Sequence, residues 1–300
     1  MGARLYWEGT SQHWKVQARS IVTHTDFTLD TVNNRTAVDD TLGAAGTEHD
    51  AAYTLNDLHQ YSSLTYGGTA YSRSHGSAGN LVDEDTADLT KYAWDYNDKL
   101  AARWTDDGAG GGTADNGIID GTETVHYQYV YDAIGRRVLK DASTDTRYIY
   151  NGWQCIEEYE DSGSGFSLKL TRVYGNNIDE VLQVEIGSDK YYFHANVQGN
   201  VVALTDDGGT VVETYEYDIY GRLTAAEAWN GSAKVTVRDG DTDGDGDVDG
   251  DDDPAYLNDF IDAVELFAVS LIDNEMLFQS RRLDEESELY YFRNRQYDPV

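Results

Sequence analysis

The sequence predicts an all-β fold built from stacked antiparallel β-hairpins. Tyrosine and tryptophan supply much of the expected core, since the chain has 23 Tyr and 6 Trp within a hydrophobic fraction of only 40%. Aromatic anchors recur at intervals of about 21 residues, which is the length of one strand–turn–strand unit. Asp, Asn and Gly follow the anchors, where a tight turn is expected. Because one hairpin cannot bury its own aromatic face, neighbouring units must stack to bury it.

Two copies of the repeat are nearly identical. The segments Tyr129–Val138 and Tyr215–Leu223 both contain Tyr-x-Tyr-Asp-x-x-Gly-Arg. Alternation along a strand places both tyrosines of a copy on one sheet face, and the Asp and Gly then supply the turn. We therefore expect Tyr131 and Tyr217 to be buried, each in the first strand of a hairpin whose turn holds the repeat glycine. Weaker copies are anchored at Tyr53, Tyr71, Trp94, Tyr150, Tyr174 and Tyr192.

This repeat resembles the YD repeat of the RHS (rearrangement hotspot) proteins, which include the walls of bacterial toxin shells and the teneurins. Residues 191–208 are similar to the start of the RHS-associated core, and residues 278–299 are similar to its end. The resemblance implies that the hairpins coil as a spiral sheet or partial shell. It also implies a secreted or cell-surface protein, and a C-terminal payload that family members carry beyond this core.

Four regions follow from the repeat pattern. We expect a poorly matched but β-rich N-terminal segment at 1–50 and the YD-repeat sheet at 51–238. An acidic insert occupies 239–272, and the end of the RHS core occupies 273–300.

The insert contains a pattern typical of a calcium-binding loop. Counted from Asp241, acidic residues occupy positions 1, 3, 5, 9 and 12, with Gly246 at the sharp bend and Val248 at the apolar position. The predicted Ca²⁺ ligands are Asp241, Asp243, Asp245, Asp247 (through its carbonyl), Asp249 and Asp252. Apolar residues from Leu257 to Leu271 then follow a helical spacing. An EF-hand-like or dockerin-like loop with an exit helix is expected, and a solvated acidic linker is the alternative.

Charge and motif content narrow the possible functions. With 22 basic and 55 acidic residues the chain carries a net charge of −33, which disfavours nucleic-acid binding because phosphate would be repelled. No apolar stretch is long enough for a membrane span, and the N-terminal residues lack the apolar core of a signal peptide. The single Cys155 has no evident catalytic histidine partner, and no metal-binding histidine spacing or catalytic motif stands out.

The sequence therefore predicts a non-catalytic structural module of RHS type with a calcium-binding insert. The alternative is a calcium-dependent dockerin-like module that binds a protein or a cell-surface glycan and is carried on a β-repeat stalk. An enzyme such as a glycoside hydrolase is the third hypothesis, and no motif supports it.

Overall fold

The computed structural model describes residues 4–8, 13–17, 24–42, 47–48, 51–66, 69–85, 90–105, 124–229, 234–238 and 270–299. Regular structure in these ranges is β-strand throughout, apart from a 3-10 turn at Phe278–Ser280. The all-β hairpin prediction is confirmed. The chain divides into two compact units, of which the first comprises Met1–Lys91 and Arg238–Phe260 and the second comprises Tyr92–Val237 and Ile261–Val300. The region boundaries drawn from the sequence stay predictions.

In the first unit, successive strands pair antiparallel with their chain neighbours. The short strand β5 and the longer strand β6 both pair with β4. The strands are β1 (Arg4–Glu8), β2 (His13–Gln17), β3 (His24–Leu29), β4 (Arg35–Leu42), β5 (Thr47–Glu48), β6 (Ala51–Leu55), β7 (Tyr61–Tyr66), β8 (Thr69–His75) and β9 (Leu81–Asp85).

The next strands are β10 (Thr90–Trp94), β11 (Leu100–Thr105), β12 (Thr124–Tyr131), β13 (Arg137–Asp141), β14 (Thr146–Asn151), β15 (Gln154–Asp161), β16 (Phe166–Tyr174), β17 (Val181–Ile186), β18 (Asp189–Ala195), β19 (Val201–Asp206), β20 (Val211–Tyr217), β21 (Leu223–Trp229) and β22 (Lys234–Arg238). From β11 to β21 each strand pairs antiparallel with the next. The strands β23 (Arg282–Asp284), β24 (Leu289–Tyr291) and β25 (Gln296–Tyr297) form a separate small antiparallel sheet.

One turn recurs eight times in the described part of the chain. Its first residue donates a backbone hydrogen bond to the carbonyl four residues later at 2.8–2.9 Å, and accepts one from the fourth residue of the turn. The eight turns begin at Asp30, Asn56, Gly76, Asp95, Asp132, Asn196, Asp206 and Asp218. The fourth residue always has positive φ, between 57° and 93°. The local chemistry of Asp, Asn and Gly therefore produces the hairpins.

The first Asp or Asn stabilises this turn through its side chain. The Asp132 carboxylate, for example, accepts hydrogen bonds from the backbone N–H groups of Ile134 (3.0 Å) and Arg136 (2.9 Å). The Asp218 carboxylate does the same for Tyr220 and Arg222. The side chain thus satisfies donors that the turn leaves without a strand partner.

The tyrosines of the two strong repeats are buried to different degrees. In each copy the first, Tyr129 or Tyr215, is fully buried, whereas the second, Tyr131 or Tyr217, is half-buried. The strand and turn predictions are confirmed, but the second tyrosine is less buried than expected because it lies at the strand end beside the turn. Its hydroxyl instead donates to a backbone carbonyl of the preceding hairpin, at 2.7 Å for Tyr131 and 2.8 Å for Tyr217.

The core of the second unit is closed by residues 270–299, which we call the C-terminal segment. Leu277, Phe278 and Tyr290 of this segment are buried among strand residues such as Val201 and Leu204. Its 3-10 turn rests on one repeat turn, since the Ser280 hydroxyl donates to the carbonyl of Gly199 at 3.0 Å. Burying each large apolar side chain contributes about 1.5–3 kcal/mol.

Most of the acidic insert lies outside the described residues: residues 239–269 hold the predicted calcium loop and most of the predicted exit helix. In the portion of the chain that is described, no helix has the length and apolar character needed to cross a membrane.

Candidate functional site

Buried charged side chains form the most unusual feature of the second unit. They lie on the strand faces that also carry the buried aromatic rings, and they meet charged residues of the C-terminal segment. The strands contribute Arg137, Glu158, Arg172 and Glu213, and the segment contributes Arg282 and Asp284 together with the half-buried Glu275. Such charges are rarely buried unless they are paired, so their partners decide what the site can do.

The best-defined pair joins Arg137 at the start of β13 to Asp284 in β23. Two parallel hydrogen bonds of 2.6 and 2.7 Å connect the guanidinium to the carboxylate, and both side chains are only 1% exposed. Burial opposes the charged form of Arg137, but the adjacent Asp284 outweighs it and the pKa of the guanidinium is raised. The rings of Tyr129 and Tyr291 lie 4.3 and 4.5 Å from the guanidinium carbon, which adds cation–π attraction.

A second cluster is centred on Glu158 of β15. Its carboxylate accepts hydrogen bonds from Arg172 of β16 and from Arg282 of the C-terminal segment. Burial alone would raise the pKa of Glu158, but the two guanidinium groups overcome that effect and hold the pKa well below its usual range. Arg282 also pairs with Glu275, so two arginines face two carboxylates. The cluster is balanced in charge.

A third cluster surrounds Glu213 of β20. It includes Ser270 and Leu271, the first residues of the C-terminal segment. The carboxylate accepts hydrogen bonds from the Leu271 N–H at 2.7 Å, from the Ser270 hydroxyl at 3.1 Å and from the hydroxyl of Tyr215. The side-chain amide of Asn274 donates to the same tyrosine oxygen at 3.1 Å. Burial raises the pKa of Glu213, and the hydrogen bonds offset this only in part.

Further contacts tie the same segment to earlier hairpins. The Lys99 ammonium donates to the Arg293 carbonyl at 3.0 Å and to the Asn294 side chain at 2.9 Å. Glu286 accepts a hydrogen bond from the Tyr129 hydroxyl at 3.0 Å and pairs with Lys140 at 3.2 Å. The C-terminal segment is therefore held by polar contacts to hairpins more than 140 residues away in sequence.

The arrangement of these groups is suited to structural cross-linking. The Arg137 and Glu158 clusters consist of ion pairs in which each carboxylate is bound by a guanidinium group, although the Nε–H of Arg172 has no hydrogen-bond partner in the described part of the chain. Cys155 offers no activated thiol, because burial raises its pKa to about 11. It lies in strand β15. Perturbed pKa values occur in structural ion-pair networks as well as in catalytic sites, and here geometry favours the structural role.

The predicted calcium ligands are not described by the structure, whereas the buried charges are described but were not predicted. All six predicted calcium ligands, Asp241 to Asp252, fall outside the described residues. Within the described ranges, no group of three or more His, Cys, Asp or Glu side chains could hold a metal ion. The sequence analysis missed the buried charges. Strand parity could have indicated one of them, since Glu213 shares its face with Tyr215 and Tyr217.

Comparison with known families agrees with the geometry of the hairpins. Residues 196–233 match the family model described as RHS Repeat. They include the turn that begins at Asn196 and strands β19, β20 and β21. Residues 196–233 thus carry an RHS repeat. The resemblance drawn from the Tyr-x-Tyr-Asp pattern is thereby confirmed.

Two relatives extend the similarity beyond this repeat. The chain is 25% identical over 206 residues to the tRNA3(Ser)-specific nuclease WapA of Bacillus spizizenii. It is 24% identical over 204 residues to the tRNA nuclease WapA of Bacillus subtilis strain 168. Both matches cover 68% of this chain and 8% of the relative. The matched part of the chain thus corresponds to a small part of each of these proteins.

Solved structures of toxin complexes also match. The crystal structure of TcdB2-TccC3-TEV aligns with a TM-score of 0.41 at 14% identity, over 99% of this chain and 16% of that one. The Photorhabdus luminescens Tc holotoxin pore aligns with a TM-score of 0.38, also at 14% identity, over 99% and 16% of the two chains.

Proposed function

We propose that this chain is a non-catalytic structural module, one part of an RHS-type shell or of a secreted or cell-surface protein. The observation that carries the proposal is the use of its buried charges. Arg137, Glu158 and Glu213 lie on three separate strands, and each binds the C-terminal segment directly or through a shared partner. Groups spent on internal cross-links are not available to bind and convert a substrate.

The stacked repeats support the same function. Each hairpin buries aromatic rings against its neighbours, so the sheet can be extended by adding further units of the same kind. A wall or stalk needs this property, whereas an active site needs a cleft with accessible polar groups. The C-terminal segment then closes one part of the sheet and holds it to the earlier hairpins.

The nuclease activity named for the two relatives does not transfer readily to this chain. The matched residues make up 8% of each relative, which leaves most of both proteins outside the comparison. A net charge of −33 also opposes binding to the tRNA backbone. We therefore place the nuclease function of those proteins outside the part that this chain resembles.

Incubation with tRNA tests this proposal. The purified chain should leave total tRNA intact at neutral pH with either Mg²⁺ or Ca²⁺ present. Cleavage that co-elutes with the protein in gel filtration, and that disappears in the Glu158→Gln variant but persists in the exposed Glu185→Gln variant, would contradict a purely structural role.

The acidic loop gives a second proposed property, the binding of one Ca²⁺ ion by residues 241–252. It rests on the spacing of Asp241, Asp243 and Asp245 with Gly246 at the bend. Calorimetric titration after chelator treatment should give one saturable site, and Asp241→Ala with Asp245→Ala should abolish it. Absence of binding at millimolar Ca²⁺ would leave a solvated acidic insert and would remove the support for a calcium-dependent partner.

A further inference from the structure

A small cavity in the second unit is lined by an unusual number of arginines. It lies between the turn that follows β14, the loop joining β16 to β17, and the C-terminal segment, and its volume is about 50 Å³. Four arginines reach its wall together with Trp153 and Asp179. A concentration of guanidinium groups is unexpected in a chain whose net charge is −33. The charge balance around the cavity therefore needs an explanation.

Two of the four arginines are already neutralised. Arg136 pairs with Asp132 at 2.6 Å and also donates to the carbonyl of Gly152. Arg282 belongs to the balanced cluster around Glu158. Neither side chain has an unmatched charge to offer to a ligand.

The other two arginines share one carboxylate. Arg281 approaches an oxygen of Asp179 at 2.8 Å, and Arg293 binds the other oxygen of the same side chain. The Nε–H group of Arg281 is buried and has no hydrogen-bond partner in the described part of the chain. One positive charge and at least one donor are thus left over at a partly buried site. Leaving such a donor unsatisfied is unfavourable, and a suitable acceptor would relieve it.

Trp153 gives this site a second recognition element. Its side chain lines the cavity and is 40% exposed. The Arg293 guanidinium lies 5.7 Å from the centre of its ring. An exposed indole beside cationic groups offers an apolar face to a ring that carries an acidic group. An exposed tryptophan contributes little to the core, so this position is free to serve recognition.

We propose that this cavity binds the carboxylate group of a sugar acid, with Arg281 and Arg293 as the anion-binding residues and Trp153 as the surface on which the sugar ring lies. A planar guanidinium matches a carboxylate with paired hydrogen bonds. The unmatched charge is a single one, which suits a monoanion better than a phosphate dianion. A cavity of about 50 Å³ admits the carboxylate, and the ring stays at the mouth beside the indole.

Ligand-observed NMR titration of the full chain with glucuronate tests the proposal. Glucuronate should bind at least about tenfold more tightly than neutral glucose, which lacks a charge-assisted hydrogen bond, and more tightly than inorganic phosphate, which has no ring to lie on Trp153. The variants Arg293→Gln and Trp153→Ala should each weaken glucuronate binding. Trp153 is exposed enough that its replacement should preserve the fold, which keeps the test valid if an arginine variant loses stability.

Arg295→Gln is the matched control. Arg295 lies two residues from Arg293, is exposed and contacts the Phe292 ring, but it does not line the cavity. The control variant should bind glucuronate as the parent chain does. Equal affinity for glucuronate and glucose, equal affinity for glucuronate and phosphate, or equal losses in the Arg293 and Arg295 variants would overturn the proposal. None of these results depends on whether the chain is catalytic or purely structural.

Discussion

Replacing Asp284 by Asn should destabilise the second unit severely. The change keeps the size of the side chain but removes the charge that neutralises Arg137, which is only 1% exposed. Removing one partner of a buried ion pair costs about 3–5 kcal/mol, since the remaining charge is left without compensation. Domains typically have 5–15 kcal/mol of stability in total, so the variant should lose a large share of it.

Urea denaturation followed by circular dichroism measures this loss. The exposed ion pair of Lys190 and Glu185 provides the control. The two side chains are 45% and 40% exposed, and the Lys190 Nζ lies 3.7 Å from a carboxylate oxygen of Glu185. The Glu185→Gln variant should change the free energy of unfolding by about 0–1 kcal/mol. The transition of the second unit must be followed separately, since two units need not unfold together.

A double variant separates the charge effect from the loss of packing. Replacing both Arg137 and Asp284 with apolar residues, as Arg137→Met with Asp284→Leu, leaves no unpaired charge in the core. It should recover most of the stability that Asp284→Asn loses. A loss below about 1 kcal/mol in Asp284→Asn would refute the assigned role of this pair. So would a double variant whose loss of stability equals the sum of the losses in Arg137→Met and Asp284→Leu measured singly.

Three further outcomes are expected from the second unit. Gly221→Ala should cost about 1–3 kcal/mol more than Gly209→Ala in thermal denaturation. Both glycines have positive φ, but only at Gly221 would a Cβ fall 2.4 Å from the Phe278 ring; equal losses would contradict this contact. Glu213→Gln should flatten the pH dependence of the free energy of unfolding. The raised pKa of Glu213 adds stability below the ordinary carboxyl pKa, and this stability is lost as pH rises through the pKa of the folded state. The same pH dependence in the parent chain and the variant between pH 4 and 8 would refute this prediction. Tyr217→Phe should cost about 1 kcal/mol in urea denaturation through its lost hydrogen bond to the Val201 carbonyl, and full retention of stability would contradict that contribution.

Local chemistry made the hairpins predictable from the sequence. Asp132 and Asp218 each precede a glycine by three residues, and this spacing alone specifies the turn. The same turn also forms where Asn33 or His59 takes the position of the glycine, with φ of 68° and 61°. The turn with His59 belongs to the weak copy anchored at Tyr53, whereas the turn with Asn33 was not predicted because glycine is the expected residue there. Asn tolerates positive φ, and a common hydrogen-bond pattern supports the turn in every case.

Long-range pairing explains what the sequence did not predict. Glu158 and Arg282 are separated by 124 positions, and Arg137 and Asp284 by 147. Nothing in the local pattern identifies such partners, and the sequence has 55 acidic residues from which to choose. The six predicted calcium ligands show the opposite case, since their spacing is entirely local. They lie outside the described residues, and calcium binding stays a prediction.

The buried pairs also bear on how the C-terminal segment finds its place. Apolar contacts have no required direction, whereas the paired hydrogen bonds between Arg137 and Asp284 fix both distance and orientation. If β23 were displaced by one residue, every side chain would change face, so Arg137 would be buried without a partner and Glu158 would keep only Arg172. An unpaired buried charge is costly, which disfavours such a register. The charged clusters therefore act chiefly by excluding incorrect registers, which a module that closes its sheet with a distant segment requires.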